Sequence, residues 1–238
     1  MRKVIVSAST EYAVLIGRGL LAQLGTEVAK RICPCKAAVI TDTTVEKLYA
    51  EQAEQSLAAA GFTPCRFSYP AGEGSKHIGT LSDMLEFLAE QEITRQDIII
   101  ALGGGVAGDM AGFAAAVYQR GIRFVQVPTT FLAAVDSSVG GKTAIDLRAG
   151  KNMAGAFYQP QLVLCDVDTL DTLPEEIFAD GIAETLKYGV IGDAKLFAET
   201  ASGDFKEKLE NIDVVLLNSV KQIQKLSNIT ITDFAETL

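Results

Sequence analysis

Residues 101–121 read ALGGGVAGDMAGFAAAVYQRG, and the order of textures within them decides the fold. The apolar run Ile98–Leu102 leads into Gly103 to Gly105, and a stretch of small residues able to form a helix follows. Strand, bare turn and helix in succession form the repeating unit of a parallel sheet. Glycine costs backbone entropy, so three in a row mark a place where the main chain turns tightly or lies against something. Gly103, Gly105 and Gly108 also satisfy G-x-G-x-x-G between a strand and a helix, the context of a dinucleotide site. Free N–H groups at a helix start, together with its dipole, suit a pyrophosphate. Two features depart from the fingerprint. No acidic residue ends the next strand, RFVQVPTT, and the motif falls at the fourth or fifth strand rather than the first. On these residues alone a nucleotide site and a structural turn both stay open. Asp109 reads equally as a first-turn carboxylate that helps to cap the helix.

Working outward, short apolar runs alternate with helical patterns. Val4–Val6, Ala13–Ile16, Ala37–Thr41, Cys65–Tyr69 and Arg123–Val127 read as strands; Leu20–Arg31, Val45–Ala60 and Ile78–Gln91 read as helices. The alternation predicts a mainly parallel sheet covered on both faces, with ligands gathering beyond the carboxyl ends of its strands. Past Leu173 the texture changes. Pro174 opens a helical pattern through Tyr188, another helix is expected over Ile212–Ser227, and no strand is expected after Leu164. The expected organisation is therefore an α/β unit over residues 1–172, Rossmann-like and mainly parallel, followed by the start of an all-α unit over residues 173–238. The chain ends soon after a helix, with little room to complete a second core, so a truncated chain is expected.

The 238 residues are 48% hydrophobic and 21% charged, which fits a globular protein. A net charge of −9 argues against a general nucleic-acid or anionic-membrane surface, so any bound anion needs a local cluster of cations. Cys33, Cys35, Cys65 and Cys165 fit neither a disulfide scaffold nor a zinc ribbon. The N-terminus enters a strand at once, and no run approaches membrane-spanning length. Cytoplasm is the expected compartment.

Three further stretches carry chemistry. PAGEGSKH, residues 70–77, is a loop in which Glu73 suits hydroxyls and Lys76 suits phosphate, or else an ordinary solvated loop. His77 is the only histidine and has no second imidazole with which to build a metal site. PTTFLAAVDSSVGGKTAIDLRAGKN, residues 128–152, reads as a long polar loop supplying Thr129, Thr130, Asp136, Ser137, Lys142, Lys151 and Asn152. Its lysines near a glycine pair suit an anionic, oxygen-rich ligand. Gly140-Gly141-Lys142-Thr143 matches the end of a P-loop, but Asp136 stands where that motif needs its first glycine. In GIAETLKYG, residues 181–189, Glu184 and Lys187 share one helical face, as a surface ion pair or as a metal-binding carboxylate beside a substrate-binding ammonium.

Taken together, the order and spacing of PAGEGSKH, GGGVAGDMAGFAAAVYQRG, VPTTFLAAVDSSVGGKTAID, AGKN and GIAETLKYG closely resemble the 3-dehydroquinate synthase family of the shikimate pathway. The likeness runs from about Asp42 through Gly189. Other sugar-phosphate cyclases share much of this framework, and iron- or zinc-dependent polyol dehydrogenases share its fold more distantly. The resemblance implies a lyase that converts 3-deoxy-D-arabino-heptulosonate 7-phosphate to 3-dehydroquinate and phosphate, using NAD and a Zn²⁺ or Co²⁺ ion. NAD would oxidise one hydroxyl, which acidifies the neighbouring C–H; phosphate would leave by elimination, and the ketone would be reduced again before an internal aldol closes the ring.

Carried over position by position, Asp42, Gly72, Glu73, Lys76, Gly104, Gly105, Val106, Gly108, Asp109, Thr129, Thr130, Lys142, Lys151, Thr169, Leu170 and Thr172 resemble the family's cofactor contacts. Asp136, Lys142, Lys151, Asn152 and Lys187 resemble its substrate shell. Arg120 resembles an arginine that reaches a neighbouring subunit's phosphate, which implies a homodimer. Glu184 resembles the carboxylate ligand of the metal. The family completes that site with two histidines from the helical unit, which nothing here matches, and a catalytic zinc normally takes three protein ligands. The expectation is a chain that binds NAD with negligible cyclase activity.

Overall fold

The computed structural model describes residues 1–201, 215–219 and 230–234. Its strands are β1 (Arg2–Ser7), β2 (Glu11–Gly17), β3 (Lys36–Asp42), β4 (Thr63–Tyr69), β5 (Ile98–Gly103), β6 (Arg123–Pro128), β7 (Lys142–Leu147), β8 (Gly150–Phe157), β9 (Leu162–Asp166) and β10 (Thr230–Phe234). Its helices are α1 (Leu24–Ala29), α2 (Thr43–Val45), α3 (Glu51–Ala59), α4 (Ile78–Glu90), α5 (Gly105–Val117), α6 (Glu175–Gly192) and α7 (Ala194–Ala201). A π-helical stretch, Glu46–Ala50, joins α2 to α3.

Eight strands form one sheet in the order β10-β1-β2-β9-β6-β5-β3-β4. From β2 to β4 every neighbour is parallel; only β1 runs against both β2 and β10. The expected parallel α/β sheet is present. β5 is buried at every position, as its unbroken apolar run requires when helices cover both faces.

The pleat sorts that run between two cores. Ile98, Ile100 and Leu102 pack with Leu24 and Val28 of α1 and Ala53 and Leu57 of α3. Ile99 and Ala101 pack on the other face with Leu81, Met84 and Leu88 of α4 and Met110 and Ala111 of α5. Each fully buried Ile or Leu contributes roughly 1.5–3 kcal/mol. A third cluster sets Phe131, Val135 and Phe178 of α6 against Val4, Val14 and Val163, on the face shared with α5.

Chain order reverses between β3 and β5: β3 leads to β4 on one side, whereas β5 leads to β6 on the other. The loops leaving β3 and β5 therefore part at a crevice beyond the sheet's carboxyl edge, where open α/β sheets hold ligands.

Two sequence expectations need correction. Residues 128–152 are not one long loop. They contain a π-helical turn, Ala133–Ser137, all of β7 and the start of β8, and β7 and β8 pair as an antiparallel two-stranded sheet. Strand structure also continues past Leu164: β9 extends to Asp166, and β10 adds to the edge beside β1. Of the helix expected over Ile212–Ser227, residues 215–219 are helical and the rest lies outside the described residues. Among the described residues no helix is long and apolar enough to cross a membrane.

Candidate functional site

The crevice is built from bare backbone. Gly104, the residue before α5, has no side-chain cap, so the first amides of α5 keep their N–H groups for a ligand. A Cβ on Gly103 would stand 2.7 Å from the Ala107 Cβ, and one on Gly104 would stand 3.0 Å from Thr130 Cγ2. Thr129 donates its amide to the Gly103 carbonyl at 2.9 Å, which ties the end of β6 to the glycine turn. Across the crevice, Asp42 ends β3. Its Oδ1 accepts from the Thr44 and Val45 amides at 2.8 and 3.0 Å. Its Oδ2 lies 3.7 Å from where a Gly103 Cβ would be. Thr41 Oγ1, Tyr69 Oη and Thr129 Oγ1 are buried at the ends of β3, β4 and β6 without a hydrogen-bond partner among the described residues.

Beside α5 opens a cavity of about 570 Å³, lined by Asp109, Asp136, Ser137, Lys142, Asn152 and Phe157 among others. Five residues singled out from sequence, Asp109, Asp136, Ser137, Lys142 and Asn152, therefore share one wall system. Lys76 is only 5% exposed and locks two of them together: its Nζ lies 2.6 Å from Asp109 Oδ2 and 2.6 Å from Asn152 Oδ1. Asp109 thus pairs with Lys76 rather than capping α5. Burial raises the Asp109 pKa, Lys76 opposes that rise, and Glu73 and Asp136 add to it. The β7–β8 hairpin is held to the same lysine segment. The Asp146 amide donates to the Lys76 carbonyl at 2.8 Å, and Asp146 Oδ1 accepts from the Asn152 amide at 2.7 Å. Asn152 takes a left-handed φ of +56°, a conformation that asparagine tolerates better than most residues.

At the rim, exposed Lys151 pairs with Glu73 at 3.1 Å, just after the left-handed Gly72. Thr169, Leu170 and Thr172 lie in the 3₁₀ turn Val167–Thr172 that leaves β9. Tyr49 fastens this turn to the helix after Asp42, donating to the Thr169 carbonyl at 3.0 Å and meeting Thr172 Oγ1. Leu170 itself is a core residue.

From α6, Glu184 and Lys187 form an ion pair, and Lys187 Nζ stands 5.1 Å from the centroid of the Tyr188 ring. Buried Tyr188 donates to Asp136 Oδ1 at 2.7 Å. Burial and then the Asp136 carboxylate hold its phenol far above the usual tyrosine range, so the hydroxyl remains a donor.

Two residues stand apart. Arg120 follows the C-terminal end of α5, a helix of about 20 Å whose other end meets the site. Gln119 and Arg120 are consecutive left-handed residues, with φ +48° and +69°. His77 caps α4, its Nδ1 accepting from the Gly79 and Thr80 amides at 3.1 and 3.3 Å. Among the described residues no group of three or more His, Cys, Asp or Glu side chains is placed to hold a metal. Sequence reasoning passed over Tyr188 and Asp146. Tyr188 lies seven residues beyond Gly181 on the buried face of α6, a spacing that was available to find it.

The profile of the 3-dehydroquinate synthase N-terminal region matches residues 66–180, which hold the glycine turn, the cavity and the hairpin. A 3-dehydroquinate synthase of Streptococcus suis is 44% identical over 228 residues, 95% of this chain and 64% of that protein. Residues 66–180 belong to the N-terminal region of the 3-dehydroquinate synthase family. The chain spans about half to two thirds of the length of the curated relatives it matches.

Related cyclases share the family fold. A 2-deoxy-scyllo-inosose synthase complexed with carbaglucose-6-phosphate, NAD⁺ and Co²⁺ matches with a TM-score of 0.80 at 26% identity, over 93% of this chain and 62% of that one. A 2-epi-5-epi-valiolone synthase from Streptomyces hygroscopicus, with NAD⁺ and Zn²⁺ bound, matches with a TM-score of 0.81 at 28% identity, over 90% and 60%.

Proposed function

We propose that this chain carries the cofactor- and substrate-holding part of a 3-dehydroquinate synthase, a lyase that cyclises a seven-carbon sugar acid phosphate with release of phosphate. The observation that carries this reading is the uncapped start of α5, bare from Gly103 to Gly105, opening beside a cavity lined by Asp136, Lys142 and Asn152. In this reading residues 1–172 hold the cofactor, and residues 173–238 begin the unit that supplies Glu184 and Lys187.

The site fits NAD. The free amides of Gly105 and Val106 suit its pyrophosphate, and the Asp42 and Glu73 carboxylates suit ribose hydroxyls. The unpartnered hydroxyl of Thr129 adds a buried donor on the same edge. When bound, NAD supplies reversible hydride removal from one substrate hydroxyl, which acidifies the neighbouring C–H. The chain's own residues do the rest of the holding. Lys142, Lys151 and Lys187 offset the carboxylate and phosphate charges of the ligand, and Asp136 accepts from its hydroxyls. Lys76 fixes Asn152 and Asp109 at the cavity wall.

The metal does not fit the described residues: Glu184 is a single carboxylate, and a catalytic zinc normally needs three protein ligands. We further place the protein in the cytoplasm as a homodimer, with Arg120 extending toward the neighbouring subunit.

Calorimetric titration of the purified chain tests the reading. NAD should bind one to one, and saturating NAD should then support binding of 3-deoxy-D-arabino-heptulosonate 7-phosphate. A chain that binds no NAD sinks the proposal, and so does one that accumulates NADH when given polyols.

A further inference from the structure

Asp136 is set by its surroundings more firmly than its place in a turn suggests. It lies in the π-helical stretch Ala133–Ser137, wedged between the cavity and α6. That helix is seated without slack. A Cβ on Gly181 would stand 2.6 Å from the Phe131 Cβ, and the Phe131 and Phe178 rings stack with centroids 5.0 Å apart. Two turns further along the same buried face, Tyr188 is 1% exposed and reaches Asp136 Oδ1 at 2.7 Å. No other side-chain bond to Asp136 is found among the described residues, so its second carboxylate oxygen keeps its full accepting capacity beside the cavity.

Buried tyrosine hydroxyls usually find a partner, and here the partner is a carboxylate that lines the cavity. A phenylalanine would fill the same volume, whereas a charge-assisted bond fixes the carboxylate's torsion. We propose that Tyr188 is a positioning residue: its hydroxyl holds one oxygen of Asp136 so that the other meets the hydroxyls of the sugar acid phosphate. This deepens the functional reading above and rests on it. Tyr188 acts through Asp136 and does not touch ligand itself. It also ties the placement of α6, which carries Glu184 and Lys187, to the carboxylate at the cavity wall.

Tyr188→Phe, Asp136→Asn and the double variant preserve volume, and circular dichroism verifies their folding. Without ligand, the hydrogen-bonded Tyr188 hydroxyl proton is sought by proton NMR and assigned by its loss in Tyr188→Phe. Asp136→Asn should shift it markedly; an unmoved signal overturns the proposal. With saturating NAD, calorimetry follows the binding of 3-deoxy-D-arabino-heptulosonate 7-phosphate. Tyr188→Phe should weaken it about tenfold, as loss of a bond to a charged group implies. Asp136→Asn should weaken it more, and the double variant no further. Wild-type affinity in Tyr188→Phe overturns the proposal, as do losses that multiply in the double variant. If wild type fails to bind the sugar acid phosphate, the functional reading falls, while the NMR shift still decides whether Tyr188 positions Asp136.

Discussion

Lys76→Met is the sharpest test of how the site is assembled. The substitution keeps an unbranched side chain of similar reach and removes the ammonium that holds Asp109 Oδ2 and Asn152 Oδ1, each at 2.6 Å. The Asp109 side chain is only 15% exposed, so water replaces little of what is lost. Breaking a buried pair by removing one partner costs about 3–5 kcal/mol. The residual exposure of Asp109 places the expected loss near the lower end, about 3 kcal/mol.

The pH dependence has a definite sign. Burial already lifts the folded-state pKa of Asp109 above its ordinary value, despite the opposing Lys76. A carboxyl raised in the folded state holds its proton to higher pH than the unfolded chain does. Stability is therefore gained as pH falls through the folded pKa and lost above it. Without Lys76 that pKa rises further. The deficit of the Met variant should be full at about pH 8 and shrink toward about pH 5 as Asp109 neutralises. Urea unfolding of both proteins at the two pH values, followed by circular dichroism, measures it. A deficit under about 1 kcal/mol at the higher pH refutes the argument, as does one that grows on acidification.

Three further outcomes are expected. Gly181→Ala forces a methyl against Phe131, so urea unfolding should show a loss of about 1–3 kcal/mol; unchanged stability means that α6 is not seated as described. Gly105→Val places a branched side chain at the mouth of α5, where even a Cβ would lie 3.2 Å from Ser137 Oγ; calorimetry should show NAD affinity falling at least about tenfold with folding retained. Zn²⁺ or Co²⁺ should leave the NAD affinity of this chain unaltered, and phosphate release should stay negligible with either ion. Robust release from the purified chain would refute this expectation.

What the sequence disclosed depended on how local the cause was. β5 and α5 were legible because a buried strand and a small-residue helix each write their environment into consecutive residues. The order of the polar motifs marked the cavity wall for the same reason. The β7–β8 hairpin escaped because β8 is exposed or half-buried along its whole length, and its second half, MAGAF, has no polar residues to alternate with apolar ones. β10 escaped because its partner β1 lies at the opposite end of the chain, and pairing across that separation leaves no local trace. Within the site, the Lys76–Asp109–Asn152 junction joins three segments far apart in sequence. Their residue types were each visible, but not that they would meet.

The poverty of side chains along α5 reaches beyond its first turn. Ala107, Gly108, Ala111, Gly112, Ala114 and Ala115 are buried, and a methyl on Gly112 would collide with Phe124 and with Thr143 of β7. Hairpin and helix rest almost backbone on backbone, leaving no slack on the inner wall for remodelling. Divergence in ligand shape among descendants of this scaffold must then be written on the outer wall. There Met153 and Phe157, the latter 83% exposed, are free to change without disturbing anything beneath them.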